Sequence, residues 1–270
     1  MKKLIWNLNG PSAMSYDPVR LAKMKAEGHN RTPGTLTGLD CPKCLNNGRI
    51  AVVREDVSIA FIPCQCMKVR RCFWEMERSG LKNSIRELTF DSYQAKEPWQ
   101  IRVKEGAEAY AKEPRGWLLL AGQPGCGKTH LCTAVCRSLL LQGKEVRYMS
   151  WREKVNQIKS APMEGGIRAS LLEELKKAEY LYIDDLFKTG ASADGSCNPT
   201  QADGNLAFEL LNFRYNNRLP TILSTERTPQ ELVKIDEATG SRILEMAGEH
   251  IYSIGRNKDR NYRLRQIQML

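Results

Sequence analysis

No apolar run in this chain of 270 residues approaches the roughly 20 residues that span a bilayer, so no membrane association is expected. Lys2 and Lys3 precede a short apolar stretch, but it breaks at Asn7, too early for a secretory signal peptide. Neither an internal repeat nor a long low-complexity tract is present, which excludes solenoid and fibrous architectures. Acidic residues are in the minority, 31 against 41 Lys and Arg, for a formal charge of +10. That balance suits contact with nucleic acid or an acidic partner, and it also simply keeps a protein soluble. Paired cysteines are lacking too: there are nine, and Cys126, Cys132 and Cys136 fall in one Gly-rich motif and the helix after it. Such usage fits reduced thiols and metal ligands in the cytoplasm, not a secreted disulfide frame. The length allows one good core and a small additional module.

What is present begins with Gly122-Gln123-Pro124-Gly125-Cys126-Gly127-Lys128-Thr129, a complete phosphate-binding loop. Its glycines let the backbone turn tightly and aim N–H groups at phosphate oxygens. Lys128 reaches the β- and γ-phosphates of a nucleotide, and the Thr129 hydroxyl is placed to ligate Mg²⁺. The apolar run Trp117 to Ala121 reads as a buried strand before the loop. Thr129 to Gln142 reads as a helix stopped by Gly143. Phosphate therefore sits on a helix N-terminus, with His130 in its first turn. Further along, Leu181-Tyr182-Ile183-Asp184-Asp185 has the form of an acid-tipped Walker B strand. Asp184 is expected at the metal and Asp185 as general base or water-positioning acid. Asp185 stands where many ATPases carry Glu, one methylene longer, which lowers the expected hydrolysis rate and not nucleotide binding. The strand Pro220 to Thr225 ends where a γ-phosphate sensor is expected, a role for Glu226 or Thr225. A guanine-reading N-K-x-D motif is missing, since Asn257-Lys258-Asp259-Arg260 has its acid one place early, so ATP is favoured over GTP.

The pattern predicts a helix over 18–27, strands over 49–53 and 57–62, and a helix over 67–78 ended by Ser79-Gly80. After the phosphate loop come a strand over 145–150, a helix over 168–178 and a strand over 180–183. A helix over 201–217 and the strand over 220–225 follow, and Thr228-Pro229-Gln230-Glu231 is a capping box that opens another helix. Such alternation is α/β, a parallel sheet covered by helices. Residues 1–84 are expected as an N-terminal domain and 85–270 as the ATPase domain. The Gly, Ala and Ser content of Lys188 to Pro199 suggests a mobile segment.

Cys41-Pro42-Lys43-Cys44 and Cys64-Gln65-Cys66 stand at the two ends of the hairpin predicted from the early strands. Four thiolates brought together this way suit a structural Zn²⁺, with no open position for a catalytic water. Gly48 falls where such a knuckle needs φ > 0, and Cys72 is a possible substitute ligand. A redox Cys-x-x-Cys would need a thioredoxin-like βαβ pattern, which is missing here. Val69, Phe73 and Met76 share one helical face and are expected in a core; Trp74 lies off it, as a docking residue or a partly covered surface aromatic.

The cysteine module, Gly127-Lys128-Thr129-His130-Leu131, Ile183-Asp184-Asp185-Leu186, and Pro220 to Met246 with its Gly240-Ser241-Arg242-Ile243 together carry a resemblance. From residue 40 onward the chain resembles replicative helicase loaders of the DnaC/DnaI type, above all the phage and prophage versions of Gram-positive bacteria. The resemblance implies an AAA+ P-loop NTPase fold, weak regulatory hydrolysis of ATP with Mg²⁺, and self-association through ATP interfaces. It also implies a hexameric replicative DNA helicase as partner, bound through the N-terminal domain. Arg242 is then the arginine finger acting on a neighbouring subunit's ATP, and Arg263, in Asn261-Tyr262-Arg263, the sensor 2 arginine. Weak contact with single-stranded DNA is expected from the net charge and from Arg214, Tyr215 and Arg218 near a helix end. Two rivals stand beside this reading. One is an IstB-type transposition helper with the same AAA+ core, in which the cysteine module is not expected. The other is a binding module propped by ATP with little hydrolysis, kept open by the short Asp185.

Overall fold

Asp17 accepts the N–H groups of Val19 and Arg20, and Pro18 presets φ at the first helical position, so α1 (Pro18–Arg31) starts at a well-made cap. It runs past the predicted end at Glu27. Asn30, in its last turn, clasps the backbone of Ala51, donating to the carbonyl at 2.9 Å and accepting the N–H at 2.8 Å. Ala51 lies in β1 (Arg49–Val53), which pairs antiparallel with β2 (Ile59–Pro63), Ala51 opposite Phe61. The second strand starts later than the predicted Val57, because Val57 is at φ 67 and belongs to the turn. These elements appear in a computed structural model that describes residues 17–78, 84–162, 166–189 and 198–265. The chain divides into two compact units, Met1–Met67 and Lys68–Leu270.

Helix α2 (Cys66–Arg78) buries Val69 and Met76 and half-buries Phe73, while Trp74 is 54% exposed with the Arg78 guanidinium 4.5 Å over its ring. Its Glu75 pairs with Arg147, and its Lys68 with Glu145 at 2.9 Å. The predicted stop at Ser79-Gly80 lies outside the described residues. Helix α3 (Ser84–Glu87) precedes α4 (Pro98–Lys112), an element the sequence reading does not anticipate. Its capping box of Glu97 and Gln100 and its buried stripe Val103, Ala107, Tyr110 and Ala111 are ordinary helix signals.

The larger unit is built on a parallel sheet. Strand β3 (Trp117–Gly122) leads through α5 (Lys128–Leu141) to β4 (Val146–Ser150). Helices α6 (Trp151–Ser160) and α7 (Ile167–Lys176) then lead to β5 (Tyr180–Asp184). Helix α8 (Gln201–Asn216), β6 (Thr221–Thr225), α9 (Pro229–Ile235), α10 (Glu237–Ala247), β7 (Ile251–Ile254) and α11 (Tyr262–Arg265) complete it. The strand order is β4-β5-β6-β3-β7, every pairing parallel. Every residue of β3, β5 and β6 is buried, as helices on both faces require. Because β3, β5 and β6 run parallel with β6 between the other two, the phosphate loop, Asp184 with Asp185, and Glu226 all emerge close together at the carboxyl edge, where open α/β sheets bind ligands. Residues 190–197 of the segment expected to be mobile lie outside the described residues. No helix among the described residues is long and apolar enough to cross a membrane.

Arg214 corrects an expectation. It is fully buried in α8, not displayed for nucleic acid. Its guanidinium donates to the carbonyls of Leu175, Lys176, Ala178 and Pro220 and to the Thr221 hydroxyl, at 2.6–3.1 Å. It thereby caps the open end of α7 and ties it to the start of β6. Burial lowers its pKa to about 10, so the group still carries charge at neutral pH. Arg214→Met strands those carbonyls, and thermal unfolding followed by circular dichroism should show a midpoint lower by about 10 °C.

Candidate nucleotide site and thiol cluster

The loop from Gly122 to Thr129 joins β3 to α5. Gly125 and Gly127 hold φ of 75° and 93°, and a Cβ on Gly125 would meet Asn261 Oδ1 at 2.0 Å. Only glycine serves there. Lys128 is 5% exposed and its ammonium lies inside the loop, donating to the carbonyls of Gly122 at 2.7 Å and Gln123 at 2.9 Å. Gln123 exchanges two hydrogen bonds with the backbone of Asn257, and the Tyr262 N–H donates to the Gly125 carbonyl. Pro124 and Cys126 complete the loop wall, and burial pushes the Cys126 thiol up, so it is a packing group there.

Thr129 donates to Asp184 at 3.2 Å, bringing together the hydroxyl and the carboxylate expected to share Mg²⁺. The Asp184 carboxylate is 8% exposed and also accepts Tyr182 at 2.6 Å, Tyr148 at 3.3 Å and Ser224. Burial pushes both phenols far up, so they remain donors at any working pH. Asp185 follows at φ 57, its N–H held by the Ser224 hydroxyl at 2.9 Å. The Asp185 carboxylate takes an ion pair from Lys188 at 2.8 Å, and Lys188 reaches Glu226 at the same distance. Thr225, the alternative to Glu226, is buried and donates to the Leu186 carbonyl, so Glu226 alone of the two lines the cleft.

The cleft has a volume of about 450 Å³, and its walls include Tyr93, Trp99, Lys128, Asp185, Glu226 and Arg263. His130 lines it as well, and its Nε2 donates to the Thr89 carbonyl at 2.8 Å while its ring meets Tyr93 edge-on. Burial lowers its pKa, so this histidine braces the 89–93 segment as a neutral group. Arg263 is exposed at the start of α11. Arg242 is not among the cleft residues. It lies in α10, 5.4 Å from the rings of both Phe208 and Tyr215, and donates to the Ala238 carbonyl at 2.6 Å. The sequence reading missed Tyr93, Trp99, Tyr148, Lys188 and Arg260, whose guanidinium lies 5.4 Å over Trp99. Tyr93 shortly before the Glu97–Gln100 capping box, Trp99 within it, and the lysine three residues after the paired acids were the available signals.

In the smaller unit, Cys41, Cys44, Cys64 and Cys66 bring their sulfurs within 4.8 Å of one another. Cys41 lies 3.8 Å from Cys64, and Cys44 3.5 Å from Cys66. Tetrahedral zinc with bonds of about 2.3 Å has S–S edges of about 3.8 Å, so the donor set and its size fit. Burial works against ionisation of Cys44, but the Gly48 N–H and the neighbouring thiols outweigh it and bring its pKa to about 7. Gly48 has φ 74, as the knuckle requires. Cys72 is not part of the cluster; it is buried in the larger unit, and burial raises its thiol.

A parallel sheet carrying a phosphate loop after β3, an acid tip on β5 and a polar end on the β6 strand between them defines an AAA+ P-loop ATPase. The chain belongs to the family of IstB-like ATP binding proteins, whose profile matches residues 68–268 and leaves the thiol cluster outside. It is 30% identical to the phage-like element PBSX protein XkdC of Bacillus subtilis (strain 168) over 240 residues, 85% of this chain and 88% of that protein. It is 25% identical to the replicative helicase loader DnaC of Escherichia coli (strain K12) over 185 residues, 67% of this chain and 70% of the other. A crystal structure of the DnaC helicase loader superposes with TM-score 0.52 at 19% identity, covering 65% of this chain and 99% of that one, which establishes the shared fold.

The Gly125 geometry generates a test. Gly125→Ala should weaken ATP binding about tenfold in a fluorescent-nucleotide titration, because the new methyl drives Asn261 off the loop. Adding Asn261→Ala removes the clash and should recover part of the loss.

Proposed function

We propose that this protein is an ATP-regulated loader that binds the replicative DNA helicase and delivers it to DNA. The observation that carries this reading is the pairing, in one chain, of an ATP cleft with a separate four-thiol unit outside the ATPase family's span. The likeness to a protein named as a replicative helicase loader supports it. In this reading the N-terminal unit is the helicase-binding part, held by a structural Zn²⁺ on Cys41, Cys44, Cys64 and Cys66.

Bound Mg²⁺ supplies charge neutralisation at the β- and γ-phosphates. Thr129 and Asp184 would hold it, and Lys128 would leave the loop carbonyls for phosphate oxygens. Asp185 orients the attacking water, Glu226 senses the γ-phosphate only through the Lys188 ammonium it holds, and Arg263 acts in its own cleft as the sensor 2 arginine; their shared position on the cleft wall supports these roles. Arg242 acts in trans as the finger when subunits associate. Its support is the Gly240-Ser241-Arg242-Ile243 stretch that carries the resemblance, on a side chain outside its own cleft. Arg218, exposed at the end of α8, remains for weak contact with single-stranded DNA, and Arg214 does not.

Co-purification of the full chain with the host's replicative helicase tests the proposal. Wild type should retain the helicase in an ATP-dependent manner, and Lys128→Ala, lacking the phosphate-binding charge, should lose the nucleotide dependence. The family profile itself favours a second reading, an IstB-type helper acting on target DNA. ATP-dependent binding to duplex DNA with no retention of helicase would decide for that reading.

Elemental analysis of protein purified without chelator should give one zinc per chain, falling in Cys44→Ser. Chelation should unfold the N-terminal unit and leave ATP binding intact, since metal binding contributes folding free energy only where the ligands are. Metal-free wild type would remove zinc from the proposal.

A further inference from the structure

Lys188 does not belong to the phosphate loop or to the acid-tipped strand, yet it stands at their junction. Its backbone is rooted firmly. Leu186 and Phe187 before it are fully buried, Phe187 lies edge-on to Trp151 at 5.4 Å, and the Lys188 N–H closes a turn onto the Asp185 carbonyl at 2.9 Å. From this root the side chain enters the cleft and bridges two carboxylates from different strand ends, Asp185 after β5 and Glu226 after β6, each at 2.8 Å. A solitary pair on an open surface contributes little. Here one cation serves two acids, and its side chain is 43% exposed. Partial burial opposes the Lys188 charge, but the bonds to Asp185 and Glu226 prevail and raise its pKa.

The charge balance gives the bridge a consequence. Asp185 and Glu226 present two negative charges to the end of the cleft beyond Asp184, and Lys188 returns one positive charge. A terminal phosphate arriving there meets a wall that two uncompensated carboxylates would make repulsive, by an amount that matters at cleft distances. With the phosphates placed along the loop as proposed, a diphosphate stops short of that wall. We infer that Lys188 is a specificity-determining residue that gives this cleft its preference for ATP over ADP by compensating Asp185 and Glu226 and accepting the γ-phosphate. The inference rests on the reading that the cleft takes Mg²⁺ and a nucleotide. It adds a cation from the chain's own cleft wall, separate from Lys128 and from any arginine of a neighbouring subunit.

The test is a titration of full-length protein with ADP and with a non-hydrolysable ATP analogue, each with Mg²⁺. Lys188→Met should weaken the ATP analogue about tenfold and leave ADP within about twofold of wild type. Lys188→Arg, which keeps the charge, should retain most of the preference. The double variant Lys188→Met/Glu226→Gln restores the wild-type charge count and should regain affinity for the ATP analogue, which mere loss of a structural contact would not allow. An unchanged ratio of the two affinities in Lys188→Met, or equal weakening of both, overturns the inference. So does a double variant no better than the single one. Wild type that binds neither nucleotide would instead overturn the reading of the cleft, and with it this assignment.

Discussion

A carboxylate that is nine-tenths buried must be hydrogen-bonded or lose its charge, and Asp184 meets that demand by drawing on four elements at once. Thr129 comes from the helix after the phosphate loop, Tyr148 from β4, Tyr182 from β5 itself and Ser224 from β6. Each donor is an uncharged hydroxyl, so these contacts orient the carboxylate without engaging it in an ion pair and leave it available to a cation. Ser224 does more. It donates to Asp184 and accepts the Asp185 N–H, coupling the two acids to the strand that carries Glu226. The register of β5 and β6 at Ile183 and Leu223 brings Asp184 and Ser224 side by side, and the rest of the cleft is arranged from that contact.

The two units reach order by different routes. The sheet of the larger unit is sheathed by buried Leu, Ile, Val and aromatic side chains, each contributing roughly 1.5–3 kcal/mol when removed from water. In the smaller unit the described buried residues are alanines, cysteines and Gly48, and β2 leaves Phe61 and Ile62 half exposed. Apolar burial on that scale holds little, so the thiol cluster is where folding free energy must enter if the unit is to stay ordered. The energetic argument and the tetrahedral spacing of the sulfurs therefore converge on the same four residues.

Much of this was legible in the sequence because it is locally encoded. The phosphate loop, the acid-tipped strand, both cysteine pairs and the Thr228 capping box are each contained in a few consecutive residues, and β3 and β5 read from nearly unbroken apolar runs. Elements with mixed faces were harder. Helix α4 carries only a modest apolar stripe, and β7 is a four-residue strand recognisable by its pairing with β3. Arg214 was misread because its environment is assembled from the carbonyl end of α7 and the start of β6, distant in sequence and unsignalled by any motif. Gly240 shows the converse. In the Gly-Ser-Arg stretch it looks like part of a functional motif, yet a Cβ there would lie 2.6 Å from Val233 Cα, so close packing of α10 on α9 already requires it.

The departure of Asp185 from the longer acid common at its place follows from the same geometry that brings Lys188 into the cleft. Asp185 sits at φ 57 and Phe187 at φ 61, a turn that sends Leu186 and Phe187 back into the core and ends in the Lys188 bridge. Left-handed backbone is more accessible to Asp than to Glu, because the short carboxylate tolerates the crowding near the peptide. A chain that needs this turn to root Lys188 has a physical reason to carry the shorter acid. On the proposed role of Asp185, its shorter reach toward a water then follows from the backbone and not from a degraded site. The groups proposed for binding and those proposed for hydrolysis sit in different surroundings. Lys128 and Asp184 are buried and Thr129 is partly buried, each hydrogen-bonded within the loop region, while Asp185, Lys188 and Glu226 form a partly exposed cluster held mainly by charge. That division suits a switch, in which occupancy by a nucleotide matters more than the speed with which it is consumed.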